Sequence, residues 1–213
     1  FDPEGPGPLP GIVVAQHLPI AHEGLEKDPF TIDVGEAFAN YAKGLKIGHG
    51  LEDGTTIGPL ANRRGLEHAE SLVADARERG AKLLTGGERP SEMNAGYYYA
   101  PTVLADVPVD ARIMTEEPFV PVAPITPFQG FDEVMERAHA VPFGLAGDIF
   151  TNSLKTATLA SEAMEAGMIG VNEVLLASAE APFGGIKESG LGREGGTLGI
   201  QDYLEAKYIK TRL

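Results

Sequence analysis

The sequence predicts an α/β fold, with an open and mostly parallel sheet flanked by helices, and three observations support that class. Short apolar segments that suit buried strands alternate with longer segments whose apolar residues recur every three or four positions. The chain has 213 residues and is 43% hydrophobic, which is enough to bury one substantial core. It shows neither an internal repeat nor a heptad pattern, so solenoid and coiled-coil architectures are excluded.

The N-terminal part of the chain combines an irregular arm with a first helix. Residues 1–31 are rich in glycine and proline and predict the arm, with one short strand at residues 12–15. A helix is expected at about residues 34–44, ended by Gly44 or Gly48. Its apolar positions are Val34, Phe38, Tyr41 and Leu45. Because these four recur at helical spacing, we expect them to face the core.

The second helix has the clearest pattern in the chain. Asn62 suits the N-cap position, because its short side chain can accept a hydrogen bond from the first turn. Gly80 is expected to end the helix. The predicted buried face consists of Leu66, Ala69, Leu72, Val73 and Ala76. This amphipathic pattern predicts a helix packed on a sheet.

Strands and helices alternate through the rest of the chain. Strands are predicted at residues 82–85, 99–104, 122–128, 147–150 and 168–171, and helices at residues 132–139 and 154–166. Residues 203–213 alternate apolar and charged side chains and predict a final edge strand. Since nothing follows to cover that edge, we expect it to pair with another sheet, in a partner subunit of a homo-oligomer. The chain thus divides into residues 1–31, 32–202 and 203–213.

The charge balance excludes two classes of partner. The chain has 31 acidic and 17 basic residues and a formal net charge of -14, which disfavours nucleic acid and anionic lipid surfaces. No apolar run approaches the roughly 20 residues that cross a bilayer, and the N-terminus lacks the pattern of a secretory signal. We therefore predict a cytoplasmic protein.

The sequence has no cysteine, which excludes disulfides, thiolate zinc sites and a cysteine nucleophile within these residues.

The most glycine-dense segment is residues 182–196, which contain a G-x-G-x-x-G pattern at Gly190, Gly192 and Gly195. A dinucleotide fingerprint requires a buried strand before the glycines and a helix after them. Here a polar turn precedes them, and the chain continues directly to its predicted last strand. The pattern therefore favours a tight loop whose glycines adopt positive φ.

Other candidate sites are weaker on the residues alone. Glu116 and Glu117 precede Pro118 and Phe119, and a carboxylate beside an aromatic ring can hold a ribose hydroxyl and a flat heterocycle. A solvated acidic pair is the simpler interpretation of the same residues. The five histidines have no i,i+4 spacing, so we predict no metal site, and no G-x-S-x-G pattern indicates a serine hydrolase.

Several blocks, in order, resemble the aldehyde dehydrogenase superfamily. The run P-F-G-G-I-K-E-S-G-L-G-R-E-G-G at residues 182–196 is similar to its C-terminal signature. Residues 116–122, E-E-P-F-V-P-V, are similar to its E-E-x-F-G-P block. Residues 55–60, 80–87, 100–104, 143–146 and 167–172 complete the resemblance, which covers about residues 36–210. The signature and the closing Y-L-E-A-K-Y look most like succinate-semialdehyde dehydrogenases.

The resemblance implies roles for four residues. Glu117 would bind the nicotinamide ribose of NAD or NADP, and Phe119 would contact the cofactor. Phe183 would line the aldehyde tunnel, and Ser178 would meet the carboxylate of a semialdehyde. Val120 stands where the family has glycine, and its β-branched side chain restricts the backbone beside the cofactor.

The resemblance also shows what is missing from these residues. Extended backward without gaps, it places the family's nucleophilic cysteine near Leu18, whose isobutyl group cannot attack an aldehyde. We therefore expect a truncated member of the family, with a partial catalytic domain at residues 32–202 and no dehydrogenase activity of its own. The alternative is a non-catalytic module that associates through residues 203–213.

Overall fold

The computed structural model describes residues 12–15, 20–23, 29–93 and 95–213. The helices are α1 (Pro29–Gly44), α2 (Arg63–Glu78), α3 (Phe131–His139) and α4 (Leu154–Ala163). The strands are β1 (Ile12–Ala15), β2 (Ile20–Glu23), β3 (Lys82–Thr85), β4 (Thr102–Ala105), β5 (Val122–Phe128), β6 (Phe143–Gly144), β7 (Ala146–Phe150), β8 (Met168–Val171) and β9 (Ile186–Lys187). Short 3-10 helices lie at Arg112–Met114 and Gln201–Tyr203.

Seven strands form one open sheet in the order β3-β4-β5-β2-β1-β7-β8. The pairs β4–β5, β5–β2 and β7–β8 are parallel, and the pairs involving β1 or β3 are antiparallel. Five of the seven strands therefore point the same way, which confirms the predicted α/β class with a mostly parallel sheet. The strand predicted at residues 12–15 is also confirmed, and it lies inside this sheet beside β2 rather than in a separate arm.

The alternation of side chains along β5 shows how the helices divide between the two faces of the sheet. Val122 packs in the core cluster of α2, and Phe128 packs in the cluster of α3 and α4. These two strand positions have the same parity and share one face. Ile125 has the opposite parity and packs against Ala39 and Ala42 of α1. Helices α2, α3 and α4 thus cover one face, and α1 covers part of the other.

Helix α2 matches its prediction in cap and in buried face. The Asn62 side chain accepts a hydrogen bond of 2.9 Å from the Gly65 amide, as an N-cap does. The five predicted core residues are all buried, with exposures between 0% and 5%. A positive φ at Gly80 follows the helix and allows the chain to turn into β3.

Helix α1 exists as predicted, but the expected buried face is wrong. Phe38 and Tyr41 are 42% and 71% exposed, whereas Ala39 and Ala42 are buried. Gly35 is also buried, and a β-carbon there would lie 3.0 Å from Leu84 Cδ1. The helix therefore approaches the sheet along its line of smallest side chains, because that line permits the closest packing.

Three predicted element boundaries also need correction. The strand expected at residues 99–104 is β4 (Thr102–Ala105), and the helix expected at residues 154–166 ends at Ala163, because Met164 is extended. Residues 204–213 form no strand within this chain, and all of them are exposed. Alternating side chains cannot make a strand without a hydrogen-bonding neighbour, so the pairing with a partner subunit stays a prediction. Among the described helices, none is both long and apolar enough to cross a membrane.

Candidate functional site

The glycine loop, residues 182–196, is a tight loop and not a dinucleotide fingerprint. Gly190, Gly192 and Gly195 have φ values of 113°, 78° and 66°, which side chains strongly disfavour. No α-helix follows these glycines in the described chain up to its last residue, so there is no helix N-terminus to receive a pyrophosphate. The interpretation favoured by the sequence is confirmed.

The glycine loop is fastened to the amino ends of β7 and β8. Strand β9 of the loop pairs with β6, and the Ser189 hydroxyl accepts a 3.0 Å hydrogen bond from the Gly144 amide. A β-carbon on Gly167 would overlap the carbonyl oxygen of Gly184, so the backbone of the loop lies directly against the start of β8. Lys187 forms an ion pair with Glu165, which lowers the pKa of that carboxyl. The loop is thus a fixed part of the sheet edge.

Phe183 and Ser178 are brought together by this loop. Phe183 exchanges two backbone hydrogen bonds of 2.7 Å with Glu194, and its half-buried ring lines a cleft of about 840 Å³. Leu145, Arg193, Ile200 and Tyr203 also line the cleft. Ser178 is exposed, and its hydroxyl accepts a 3.3 Å hydrogen bond from Ala181 N.

The segment that carries Ser178 is tied to the loop by one backbone hydrogen bond. The Gly196 amide donates to the Ala179 carbonyl oxygen at 3.0 Å. A β-carbon on Gly195 would lie 3.4 Å from the Ser178 carbonyl oxygen. The two residues predicted to contact substrate therefore lie on adjoining stretches of backbone.

Glu117 and Phe119 lie between the first 3-10 helix and the amino end of β5. Both are exposed, Phe119 by 84%, so the ring offers its face to a ligand or another part of a protein. The carbonyl oxygen of Glu117 lies 3.3 Å from His68 Nε2 on α2. The sequence predicted these two side chains near each other, and the structure places them on one short exposed segment.

Glu116, the first residue of the acidic pair, has a structural partner. Arg112 binds both of its carboxylate oxygens, at 2.7 Å and 2.9 Å, and lowers the pKa of Glu116. The Arg112 amide in turn donates to Asp75 Oδ2 on α2 at 2.8 Å, and its guanidinium donates to Ser71. The interpretation of Glu116 and Glu117 as a purely solvated pair is therefore wrong for Glu116.

The two pairs of candidate residues occupy the same edge of the sheet. Glu117 and Phe119 precede β5, and the glycine loop adjoins the residues that precede β7 and β8. Strands β5, β7 and β8 run in one direction, so their amino ends lie at one edge. Since β2 and β1 separate β5 from β7, the amino ends of β5 and β7 stand roughly 15 Å apart, or three strand spacings. A ligand that spans both sites must be extended.

Sequence reasoning missed two polar residues, Asn172 at the carboxyl end of β8 and Asp148 in the middle of β7. Asn172 has a φ of 54° and binds Thr151 with both ends of its side-chain amide. Asp148, in the middle of β7, is 2% exposed, and its Oδ1 has no hydrogen-bond partner. Burial raises the pKa of Asp148, and the nearby Glu173 carboxylate raises it further. The available signal was a lone aspartate within an otherwise apolar strand.

Two further expectations from the sequence concern the catalytic nucleophile and metal binding. Leu18, near the expected place of the nucleophile, lies outside the described residues. In the described part of the chain, no three His, Asp or Glu side chains are grouped so that they could hold a metal ion.

Comparison with known proteins agrees with the fold. The aldehyde dehydrogenase family model matches residues 27–209. The chain is 43% identical over 174 residues to 3-sulfolactaldehyde dehydrogenase of Pseudomonas putida, covering 82% of this chain and 35% of that protein. It is also 43% identical over 182 residues to the mitochondrial succinate-semialdehyde dehydrogenase of Rattus norvegicus, covering 85% and 34%.

A solved structure extends the likeness to three dimensions. The NAD+ complex of aldehyde dehydrogenase from Bacillus cereus superposes with a TM-score of 0.77 at 37% identity, covering 82% of this chain and 35% of that one. The chain thus spans about a third of the length of the curated relatives it matches. The family match covers most of the described fold and all four candidate residues, so the chain belongs to the aldehyde dehydrogenase family.

Proposed function

We propose that this chain forms the substrate-facing and nicotinamide-facing part of an NAD(P)-dependent aldehyde dehydrogenase that converts a semialdehyde to its acid. The observation that carries the proposal is the glycine loop, which fixes Phe183 in a cleft beside the segment that bears Ser178. Family membership supplies the class of reaction. Relatives that act on aldehydes with an acidic group, such as succinate-semialdehyde dehydrogenase, support the semialdehyde as substrate.

On the substrate side, an apolar wall and a polar end fit a short semialdehyde. The Phe183 ring can pack against its methylene groups, which favours a carbon chain over water. The Ser178 hydroxyl accepts from Ala181 N and still has its own hydrogen to donate. A donated hydrogen bond to the far carboxylate would orient the aldehyde and select against aldehydes without an acidic group.

On the cofactor side, Glu117 and Phe119 have the chemistry that a nicotinamide riboside needs. An exposed carboxylate can accept hydrogen bonds from ribose hydroxyls, and an exposed ring can pack on a flat heterocycle. The Arg112–Glu116 ion pair holds the backbone before Glu117, so the carboxylate is presented from a fixed segment. When bound, the nicotinamide accepts the hydride that leaves the aldehyde carbon.

The proposal assigns binding, and not nucleophilic attack, to these 213 residues. They contain no cysteine, and a gapless backward extension of the resemblance would put the family's nucleophile near Leu18, which has no lone pair to offer. We therefore propose that these residues bind aldehyde without oxidising it. The cytoplasmic location predicted from sequence remains a proposal as well.

Backbone amide NMR of the isotopically labelled chain tests the two halves of the site separately. Succinate semialdehyde should shift the amides of Ser178 and Phe183, and the Ser178→Ala variant should weaken that binding about tenfold, because one charge-assisted hydrogen bond is lost. NAD should shift the amides of Glu117 and Phe119, less so in Glu117→Gln. Ser153→Ala, at the cap of α4, is a matched control away from both sites. Shifts confined to other surfaces would contradict the proposal.

A second candidate function, association through the C-terminal segment, has its own observation. Tyr203, Tyr208 and Ile209 are 83%, 85% and 75% exposed on a segment that pairs with no strand of the described residues. Contiguous exposed apolar groups beside unpaired backbone favour strand pairing with a second copy, which would give a homo-oligomer. Sedimentation should show a dimer or larger species that dissociates when residues 204–213 are removed. A strict monomer with the segment intact would contradict this candidate.

A further inference from the structure

Among the described residues, Asp148 is the only buried carboxylic acid, with 2% of its surface exposed. It lies in the middle of β7, where it pairs with Val14 of β1 and Gly170 of β8. Its neighbour Ile149 packs with α3 and α4, so the Asp148 side chain points to the opposite face of the sheet. Its Oδ1 atom is fully buried without a hydrogen-bond partner. A native fold rarely leaves such a group unsatisfied.

Because Gly170 has no side chain, there is space beside it for the carboxyl group of Asp148. A β-carbon on Gly170 would lie 2.5 Å from Asp148 Oδ1 and would overlap the Glu173 carbonyl oxygen. Both oxygens are thus within 2.5 Å of one point, and they cannot be more than twice that distance apart. Leu176 Cδ2 lies 3.0 Å from the same point and covers it. The Glu173 carbonyl oxygen therefore lies close to the buried Asp148 Oδ1, and Leu176 packs beside both.

Two acceptors this close together repel each other unless one of them carries a hydrogen. A carboxylic acid in its neutral form has an O–H that can donate, and the backbone carbonyl oxygen can only accept. Burial raises the pKa of Asp148, and the Glu173 carboxylate acts in the same direction. Strands β1 and β8 contain no titratable residue, and α4, with Lys155 and Glu162, packs on the other face of β7. Glu173 is therefore the charged neighbour that matters here.

We propose that Asp148 is a positioning residue, which keeps its proton and donates it to the Glu173 carbonyl oxygen, anchoring residues 172–178, the loop that carries Ser178. The anchoring itself does not depend on the proposed function. Its consequence for substrate binding rests on the function proposed above. Asn172 fastens the start of the same loop to Thr151, so the loop has one anchor at each side of its first turn.

As pH changes, the carboxyl groups of Asp148 and Glu173 change the stability of the loop in opposite directions. The pKa of Asp148 is raised above its ordinary 3.8, so its stabilisation is complete below that value and falls as pH rises towards the folded-state pKa. The pKa of Glu173 is lowered from 4.5, because its carboxylate accepts hydrogen bonds from the amides of Leu175 and Val174. Its stabilisation is present above 4.5 and is lost as pH falls through the folded-state pKa.

Hydrogen exchange of the amides of residues 174–178, corrected for intrinsic rates, tests the anchor. In the native chain, protection should fall by up to about tenfold per pH unit as pH rises from 3.8 towards the folded-state pKa of Asp148. Asp148→Asn keeps a neutral donor, so its protection should be independent of pH above 5, a value chosen to lie about half a unit above the ordinary Glu173 pKa. Glu173→Gln removes the opposing titration and should keep the Asp148 slope but shift it to lower pH, because the Glu173 carboxylate no longer raises the pKa of Asp148. An Asp148→Asn variant with the native slope would overturn the proposal.

A direct titration keeps the proposal testable if a variant folds poorly. The Asp148 carboxyl carbon, followed by NMR in the native chain, should titrate above 3.8. Titration at or below that value would overturn the anchor. If Asp148 behaves as expected but succinate semialdehyde never shifts Ser178, the anchor stands and the proposed substrate site is wrong. If Asp148 does not titrate as expected but succinate semialdehyde does shift Ser178, the proposed substrate site stands and the anchor is wrong.

Discussion

The side-chain amide of Asn172 closes a ring of two hydrogen bonds with the backbone of Thr151, accepting from its amide at 2.9 Å and donating to its carbonyl at 3.0 Å. Asn172 follows β8 and Thr151 follows β7, so this contact ties the carboxyl ends of two parallel strands. It also holds Asn172 at a φ of 54°, a conformation that asparagine tolerates better than most residues. The loop that leads to Ser178 starts from this point.

Replacing Asn172 should destabilise the fold. Asn172→Ala leaves the Thr151 amide and carbonyl unpaired and keeps an unfavourable positive φ, which should cost about 1–3 kcal/mol. Asn172→Gly loses the same hydrogen bonds but relieves the backbone, so it should be less destabilising than alanine. Urea unfolding of the three forms measures this order. Equal stability for alanine and native chains would contradict the account.

The close approach of Gly167 to Gly184 predicts an intolerant position. In Gly167→Ala, the new methyl group meets the Gly184 carbonyl oxygen and must push the glycine loop away from β8. We expect a loss of about 1–3 kcal/mol in the free energy of unfolding. Gly58→Ala is the matched control, because nothing lies within 4 Å of its would-be β-carbon. An equal loss of thermal stability in the two variants would contradict the packing described here.

The ion pair of Arg112 and Glu116 predicts a measurable titration. Because Arg112 lowers the pKa of Glu116, Arg112→Gln should raise that pKa towards 4.5. Glu116 stabilises the native chain above its unfolded pKa, and that contribution is lost as pH falls through the lowered value. The variant should therefore lose less stability on acidification than the native chain. Carboxyl-carbon NMR reports the pKa, and Arg79→Gln serves as a control because Arg79 binds Asp75 and Asp110 instead.

The buried hydroxyl of Tyr99 offers a test of the α2 core. Tyr99 is 2% exposed, and its hydroxyl makes no hydrogen bond of good geometry with the described residues, although the Thr102 side chain lies near it. Burial raises the pKa of Tyr99 to about 12. Tyr99→Phe should leave the fold as stable as before or stabilise it by about 1 kcal/mol. In an absorbance titration, the phenol ionisation near pH 12, about the raised pKa of Tyr99, should be missing from the variant. Marked destabilisation would show that the hydroxyl has a partner.

The regular parts of the fold were predictable because local patterns decide them. Asn62 and the five core residues of α2 form such a pattern, and the apolar run of β5 was predicted with its observed bounds. Helix α1 shows the limit. Periodicity found its apolar stripe through Phe38 and Tyr41, but the sheet surface selected the stripe of Gly35, Ala39 and Ala42. Periodicity identifies the stripes of a helix, and the shape of the opposing surface selects between them.

The site was predictable only in part, and for a similar reason. Motif resemblance pointed to Glu117, Phe119, Ser178 and Phe183 as candidates, each of which lies in a short continuous block, and their roles stay predictions. It gave no sign of Asp148, whose role depends on Gly170 and on the Glu173 carbonyl, 22 and 25 positions further along the chain. The predicted strand at residues 203–213 failed within this chain because a strand needs a hydrogen-bonding neighbour as well as alternation.

The central claim is that these residues bind a semialdehyde but do not oxidise it, and one assay tests it most directly. Purified chain, with its intact mass verified, is mixed with succinate semialdehyde and NAD or NADP, while absorbance follows reduced cofactor and NMR follows Ser178 and Phe183 in the same sample. We predict shifts at both residues and no reduced cofactor above the protein-free rate. Formation of reduced cofactor together with succinate would contradict the claim, because it would require a nucleophile other than cysteine within this chain.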